Sequence, residues 1–251
     1  MARAAVQRRL SWRLGRLAGR LDETPRTRTL VLAVPSWPVH RPGQHVDVRL
    51  TADDGYQAQR SYSIASPPEE PEQVALTVER IADGEVSPYL VDELAEGDQL
   101  ELRGPIGGYF VWDVGLGGPL LLVAGGSGVV PLMAMLRHRA ARGSRLPTRL
   151  LYSSRSAEDA IYRAEFDRLA GRGDGLEVVH TLTRSRPSDW PGYARRIDRA
   201  MLAEVGFPPE QRPLCMVCGP TPLVEAVAGA LVELGHPPER VKTERFGPTG
   251  G

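Results

Sequence analysis

The amino-acid sequence predicts two folding units in series: a small antiparallel β-barrel, then a doubly wound, mostly parallel α/β domain. Three observations carry this. Up to about residue 114, short runs of apolar–polar alternation are separated by clusters of Pro, Gly and Asp, the pattern of short strands joined by turns. From residue 120 onward, apolar runs alternate with helical periodicity, as in βα units that feed a parallel sheet. Between them lies the Gly- and Pro-rich stretch 115–119, a natural boundary. The barrel is therefore expected over residues 10–114 and the α/β domain over 115–251.

In the first unit, strands are expected within 11–34, broken by turn residues at 22–25, and then at 44–50, 62–64, 74–80 and 99–103. One short helix is expected at 88–94, with Ser87 as its N-cap and Pro88 in its first position. In the second unit, strands are expected at 120–124, 149–153, 176–182, 214–218 and 241–246. The intervening helices are expected at 130–142, 158–171, 197–205 and 222–234. At 251 residues the chain is long enough for two cores of ordinary size.

Composition narrows the function. Lys+Arg and Asp+Glu both total 31, so the formal net charge is zero, which argues against nucleic acid as the main ligand. The basic residues are arginines except for Lys242; nucleotide bias accounts for that without any function. Cys215 and Cys218 sit three apart in one predicted strand, so their Cα atoms are ~10 Å apart, too far for a disulfide. A single CxxC is a poor zinc site, and the sequence holds no four-cysteine run for an iron–sulfur cluster. No metal site is expected. No apolar run approaches the ~20 residues that span a bilayer. The Arg-rich N-terminus lacks the apolar core of a signal peptide, so a cytoplasmic location is expected.

Four motifs carry chemistry. Gly125-Gly126-Ser127-Gly128-Val129-Val130-Pro131 follows an apolar strand and opens a helix. Glycines there let the backbone approach a pyrophosphate, and the helix start supplies N–H groups and positive potential. Read alone, it is equally a Gly-rich structural turn. Gly84-Glu85-Val86-Ser87-Pro88 opens the short helix and offers a second phosphate-holding loop, although an ordinary capped helix accounts for it too. Arg60-Ser61-Tyr62-Ser63 places an Arg fork and an aromatic plate on one strand face; alone, it is a strand with an exposed Arg. Cys218-Gly219-Pro220 ends a strand at the carboxyl edge, where open α/β sheets bind ligands. A lone Cys there is more often small core packing.

Taken together, 60–63 (RSYS), 84–87 (GEVS), 104–107 (GPIG), 125–131 (GGSGVVP), 218–220 (CGP) and 244–246 (ERF) resemble, in order, the motifs of ferredoxin–NADP reductase-like flavoproteins. The resemblance runs from about Trp12 to Phe246. It implies a Greek-key barrel holding FAD and an α/β domain holding NAD(P). On it, Arg60 and Ser61 belong to the FAD pyrophosphate strand, Tyr62 stacks on the isoalloxazine ring and Ser63 hydrogen-bonds near flavin N5. Gly84, Glu85, Val86 and Ser87 hold the pyrophosphate. Gly126, Ser127, Gly128 and Pro131 cradle the nicotinamide cofactor's pyrophosphate. Cys218, followed by Gly219 and Pro220, lies near nicotinamide C4, and Glu244 and Phe246 close the flavin edge. Ser63, Cys218 and Glu244 are the implied catalytic residues. Two departures stand out. Ser127 occupies a position where many relatives have Thr, and the chain runs on past Phe246 to Gly251 where plant-type relatives end in an aromatic.

Arg155 and Arg184 follow the second and third strands of the α/β domain, where a ribose 2′-phosphate would lie, with Arg195 and Arg196 nearby. An acidic residue at the end of the second strand would favour NAD; the sequence there is Ser153-Ser154-Arg155, which favours NADP. Arginines at strand ends by chance are the bland alternative. The expected activity is hydride transfer from NADPH, or NADH, to FAD, with electrons then passing to a separate carrier such as a ferredoxin or an oxygenase component. Reduction of free flavin or a quinone, and a non-catalytic flavin- and nucleotide-binding subunit, are the competing readings. Arg3, Arg8, Arg9, Arg13 and Arg16 form a basic N-terminal cluster that would steer an acidic partner, or simply a solvated end. His138 and His180 are expected on element surfaces, and Trp37, Trp112 and Trp190 in packing.

Overall fold

The computed structural model describes residues 10–247. Arg3, Arg8 and Arg9 of the basic cluster, and the tail beyond residue 247, lie outside the described residues. The first unit is an antiparallel six-stranded sheet of order β4-β3-β6-β1-β2-β5. Its strands are β1 (Trp12–Thr24), β2 (Thr27–Ala33), β3 (His45–Thr51), β4 (Gln57–Ser63), β5 (Gln73–Glu79) and β6 (Gln99–Ile106). An antiparallel bridge between Ile64 and Leu76 joins the two ends of the sheet. This closes the barrel around Leu17, Leu30, Leu32, Val46, Val48, Val74, Leu76, Leu100 and Leu102. Closure removes the exposed edges that an open antiparallel sheet would present.

The second unit is a parallel five-stranded sheet of order β11-β10-β7-β8-β9. It contains β7 (Leu120–Gly125), α1 (Val129–Ala141), β8 (Thr148–Ser154), α2 (Arg163–Ala170), β9 (Leu176–Leu182), α3 (Arg199–Val205), β10 (Leu214–Pro220), α4 (Thr221–Glu233) and β11 (Val241–Phe246). Every residue of β7 is buried, because the sheet is covered on both faces. Leu120, Leu122 and Ala124 turn towards α1 and α2. Leu121 and Val123 turn towards α3 and α4. Among the described residues no helix is long and apolar enough to cross a membrane.

The bounds of four elements need correction. The helix expected at 158–171 is only Arg163–Ala170. Ser156 and Asp159 bond to each other instead, the Ile161 N–H donates to the Tyr152 hydroxyl (3.2 Å), and Tyr162 sits in the left-handed region at φ 62°. Those local bonds compete with a helical turn. The helix at 88–94 is a single turn, Tyr89–Glu93, with no side-chain cap. Ser87 Oγ accepts the Ile81 N–H at 3.0 Å instead. The strand at 62–64 begins five residues earlier, at Gln57. The helix expected from 197 begins at Arg199, with the Asp198 side chain accepting the Met201 N–H at 2.8 Å.

His138 is not on a surface. It is 4% exposed, and its Nδ1 lies 2.7 Å from Glu69 Oε1 in the barrel. His180 is half-buried among Tyr152, Phe166 and Trp190. Trp37 and Trp112 are buried, as packing residues should be. Cys215 and Cys218 are free, buried thiols.

Candidate functional site

The α/β half shapes its loop by close approach of backbone to backbone. In the parallel ladder Cys218 stands beside Ala124, so the ends of β7 and β10 are neighbours. A Cβ on Gly128 would lie 2.3 Å from the Cys218 carbonyl oxygen, which no side chain tolerates. Gly126 takes φ 53°, and a Cβ there would meet nothing within 4 Å. One glycine thus locks the loop onto residues 218–219, while another leaves a bare, left-handed tip facing open space. Ser127 shares that half-buried tip. α1 starts directly behind it without a side-chain cap, so no side chain competes for its first N–H groups. Pro131 falls in the first turn and is buried.

Beside this loop, Cys218 pairs in register with Glu244, and Pro220 with Phe246. Cys218 Sγ is 3.8 Å from Glu244 Oε2. Burial pushes the Glu244 carboxyl up to about 7, only partly offset by its bond with Cys218. Burial and the adjacent carboxylate push the Cys218 thiol well up. The thiol therefore stays protonated, and the carboxyl titrates near neutral pH. The pair suits holding and exchanging a proton, not thiolate attack. Phe246 is partly buried and packs against the core on the α1 side.

At the carboxyl ends of β8 and β9, the Arg184 N–H donates to the Arg155 carbonyl at 2.9 Å. This juxtaposes the two arginines. Both are exposed, and neither guanidinium has an ion-pair partner among the described residues. Arg195 differs: it is paired with Asp198. Arg196 is exposed.

The barrel half shapes its loop with side chains. Arg60 and Tyr62 lie on one face of β4. Arg60 Nη2 meets Glu85 Oε2 at 2.7 Å, so the 60–63 strand and the 84–87 loop are in contact. Gly84 closes the loop by donating to the Ile81 carbonyl at 3.0 Å. Val86 turns away into the barrel core, 1% exposed, so only its backbone faces the loop. Ser61 also departs from its neighbours: its hydroxyl donates to Asp47 Oδ1 at 2.7 Å on the opposite strand face. Burial raises the Asp47 carboxyl, but hydrogen bonds from Arg103 and Ser61 outweigh it and hold the group low. Tyr62 is half-buried, and desolvation pushes its hydroxyl up to about 12. Ser63 is buried at the strand end beside His45.

The two halves are tied at this point. Two residues past Ser63, the Ala65 carbonyl accepts from Arg137 Nη1 of α1 at 2.9 Å. Ala65 and Ala75 sit in the same core as Val129 and Val130. Motif reading misses Arg137, and it also misses Gln44 and His45. Gln44 Nε2 donates to the Gly107 carbonyl at 2.6 Å, linking β3 to the loop after β6. Only the sequence run Pro42-Gly43-Gln44, a turn before a strand, could have drawn attention to it.

Two family models match the chain. An oxidoreductase FAD-binding domain matches residues 16–111. An oxidoreductase NAD-binding domain matches residues 122–229. The chain belongs to the ferredoxin–NADP reductase-like flavoproteins. Among curated relatives, this family member is 33% identical over 210 residues to the glycine betaine monooxygenase reductase subunit of Pseudomonas aeruginosa, a match covering 83% of this chain and 57% of that one. It is 32% identical over 239 residues to the ferredoxin reductase component of 3-ketosteroid-9-alpha-monooxygenase from Mycobacterium tuberculosis, covering 90% and 63%. The chain thus spans a little over half the length of these relatives. Among solved structures, a cytochrome P450 reductase from Amycolatopsis superposes with a TM-score of 0.82 at 28% identity, covering 96% of this chain and 71% of that one.

The residues present fit the two cofactors of a ferredoxin–NADP reductase-like protein. The bare tip at Gly126 leaves room where a Cβ would meet no other atom, as a pyrophosphate against backbone requires. Arg60 is half-exposed at the mouth of the 84–87 loop, where a guanidinium fork suits a diphosphate.

Proposed function

We propose that the chain is the NAD(P)H-oxidising reductase of an electron-transfer system, taking hydride from NADPH in preference to NADH and passing electrons singly to a separate ferredoxin-like carrier or oxygenase component. One observation carries this reading: the end of the 60–63 strand is bonded through Ala65 and Arg137 to the helix that begins at the 125–128 loop. On this reading, that tie would hold a flavin site and a nicotinamide site edge to edge. In this reading the barrel unit is 10–114 and the α/β unit 115–251.

When bound, the flavin supplies a ring nitrogen that accepts hydride and a ring system that releases electrons one at a time. The chain supplies position and charge. Arg60 and the backbone of 84–87 hold the FAD diphosphate, Tyr62 lies against the ring and Ser63 donates at its edge. Residues 126–128 and the start of α1, with Pro131, hold the dinucleotide diphosphate. Arg155 and Arg184, without an ion-pair partner among the described residues, take the 2′-phosphate. Cys218, kept a neutral thiol, packs where the nicotinamide rests, with Gly219 and Pro220 giving it room. Glu244 holds a proton beside it, and Phe246 covers the edge. The names of the relatives above support an oxygenase-system partner.

Steady-state NADPH oxidation by the flavin-loaded chain tests the acceptor. Turnover should rise with added ferredoxin-type carrier and exceed turnover with free flavin or quinone. Saturation by free flavin or quinone alone, with no response to any carrier, would replace this reading by that of a small-acceptor reductase.

A further inference from the structure

Arg60 is engaged through both of its terminal nitrogens. Its Nη1 donates to the Gln59 carbonyl at 2.7 Å and its Nη2 to Glu85 Oε2 at 2.7 Å. The other carboxylate oxygen, Glu85 Oε1, accepts the Tyr56 hydroxyl at 3.0 Å. Glu85 rides on a loop fastened at both ends: the Gly84 N–H bonds to Ile81, and the Ile81 N–H bonds to Ser87 Oγ. Val86 anchors the loop in the core. The carboxylate is thus delivered to the Arg60 guanidinium on β4, and it belongs to the same four residues that would line the diphosphate. A carboxylate there has like charge to the ligand and occupies the donor the ligand needs. It also has somewhere to go, because the Tyr56 hydroxyl retains it when Arg60 turns away.

We propose that Glu85 competes with the FAD diphosphate for Arg60 and thereby sets how readily this chain exchanges its flavin. This rests on the reading of 60–63 and 84–87 as the FAD site. The pair is half in water, with side chains 52% and 50% exposed, so the competition is moderate and salt-dependent.

The test is an FAD titration of flavin-free protein, read by quenching of flavin fluorescence, for the parent chain, Glu85→Gln, Arg60→Ala and the double variant. Glu85→Gln should bind FAD roughly two- to fivefold more tightly at low salt, and the gain should shrink at high salt and in the Arg60→Ala background. Glu85→Ala should behave like Glu85→Gln. An unchanged or weakened affinity in Glu85→Gln overturns the proposal, as does a gain of equal size without Arg60. A parent chain that takes up no FAD, or an Arg60→Ala chain that binds as well as the parent, overturns the FAD reading of these residues and the proposal with it. A parent that binds normally beside an indifferent Glu85→Gln overturns the proposal alone.

Discussion

In the α/β half, Gly125 and Gly128 press backbone on backbone against 218–219. In the barrel half, residues 60 and 84–87 meet through side chains that stand half in water. Both loops are candidates for holding a diphosphate, yet they should answer to mutation in opposite ways. A backbone contact has no rotamer with which to relax. An exposed ion pair has many, and water screens it. The first loop should therefore fail by losing its fold, and the second by losing its ligand while the fold survives.

The harshest way to break this contrast is Gly128→Ala. Its Cβ would fall 2.3 Å from the Cys218 carbonyl, so the ends of β7 and β10 must separate, at a cost of about 3 kcal/mol or more. Thermal unfolding should shift down sharply and NADPH binding should be lost with it. The control is Gly126→Ala, where no atom is struck and only the left-handed backbone is strained; its cost should be about 1 kcal/mol. Equal melting temperatures for the two variants would contradict the account of the loop.

Arg60→Ala should weaken FAD roughly ten- to a hundredfold, the size of a charge-assisted contact, with little change in the melting temperature of the flavin-free protein. Arg184→Ala sharpens the comparison within the α/β half. It should weaken NADPH about tenfold and leave NADH nearly unchanged, because only NADPH carries the extra phosphate. Equal losses for both cofactors would remove Arg184 from the 2′-phosphate site.

The smallest effect concerns pH. Burial raises the Glu244 carboxyl from the ordinary 4.5 to about 7. Between those values the unfolded chain is ionised and the folded chain protonated, so folding takes up a proton. Stability from this group is full below about 4.5 and declines as pH rises through about 7. Glu244→Gln does not titrate and should escape that decline. Relative to the parent, its free energy of unfolding in urea should gain about 1–2 kcal/mol between about pH 5 and about pH 8. A parallel pH dependence in parent and variant would place the carboxyl in water.

What was legible in the sequence follows the same division. The 125–131 loop could be read because backbone approach demands glycine, and glycine is visible as such; β7 and α1 on either side announce themselves by unbroken apolarity and helical period. The barrel strand around Arg60 was half hidden. In Gln57–Ser63 the outward residues are polar, and before Tyr62 only Ala58 marks the inward face, so alternation says little. Ser61 lies on the expected strand, and its bond to Asp47 could not be read because it depends on a neighbouring strand 14 residues away. His138 looked like a surface residue because Glu69, its partner, lies 69 residues away in the other unit. The start of α2 was misread because the bonds among Ser156, Asp159, Tyr152 and Ile161 displace a turn that propensity alone would favour.

The most direct test of two dinucleotide sites held edge to edge is an anaerobic titration of the FAD-loaded chain with NADPH and, separately, NADH. The visible absorbance of the flavin should bleach with about one equivalent of NADPH, as expected for a two-electron hydride donor, and NADH should bleach it more slowly. A bound flavin that keeps its colour in the presence of both nucleotides would contradict the account.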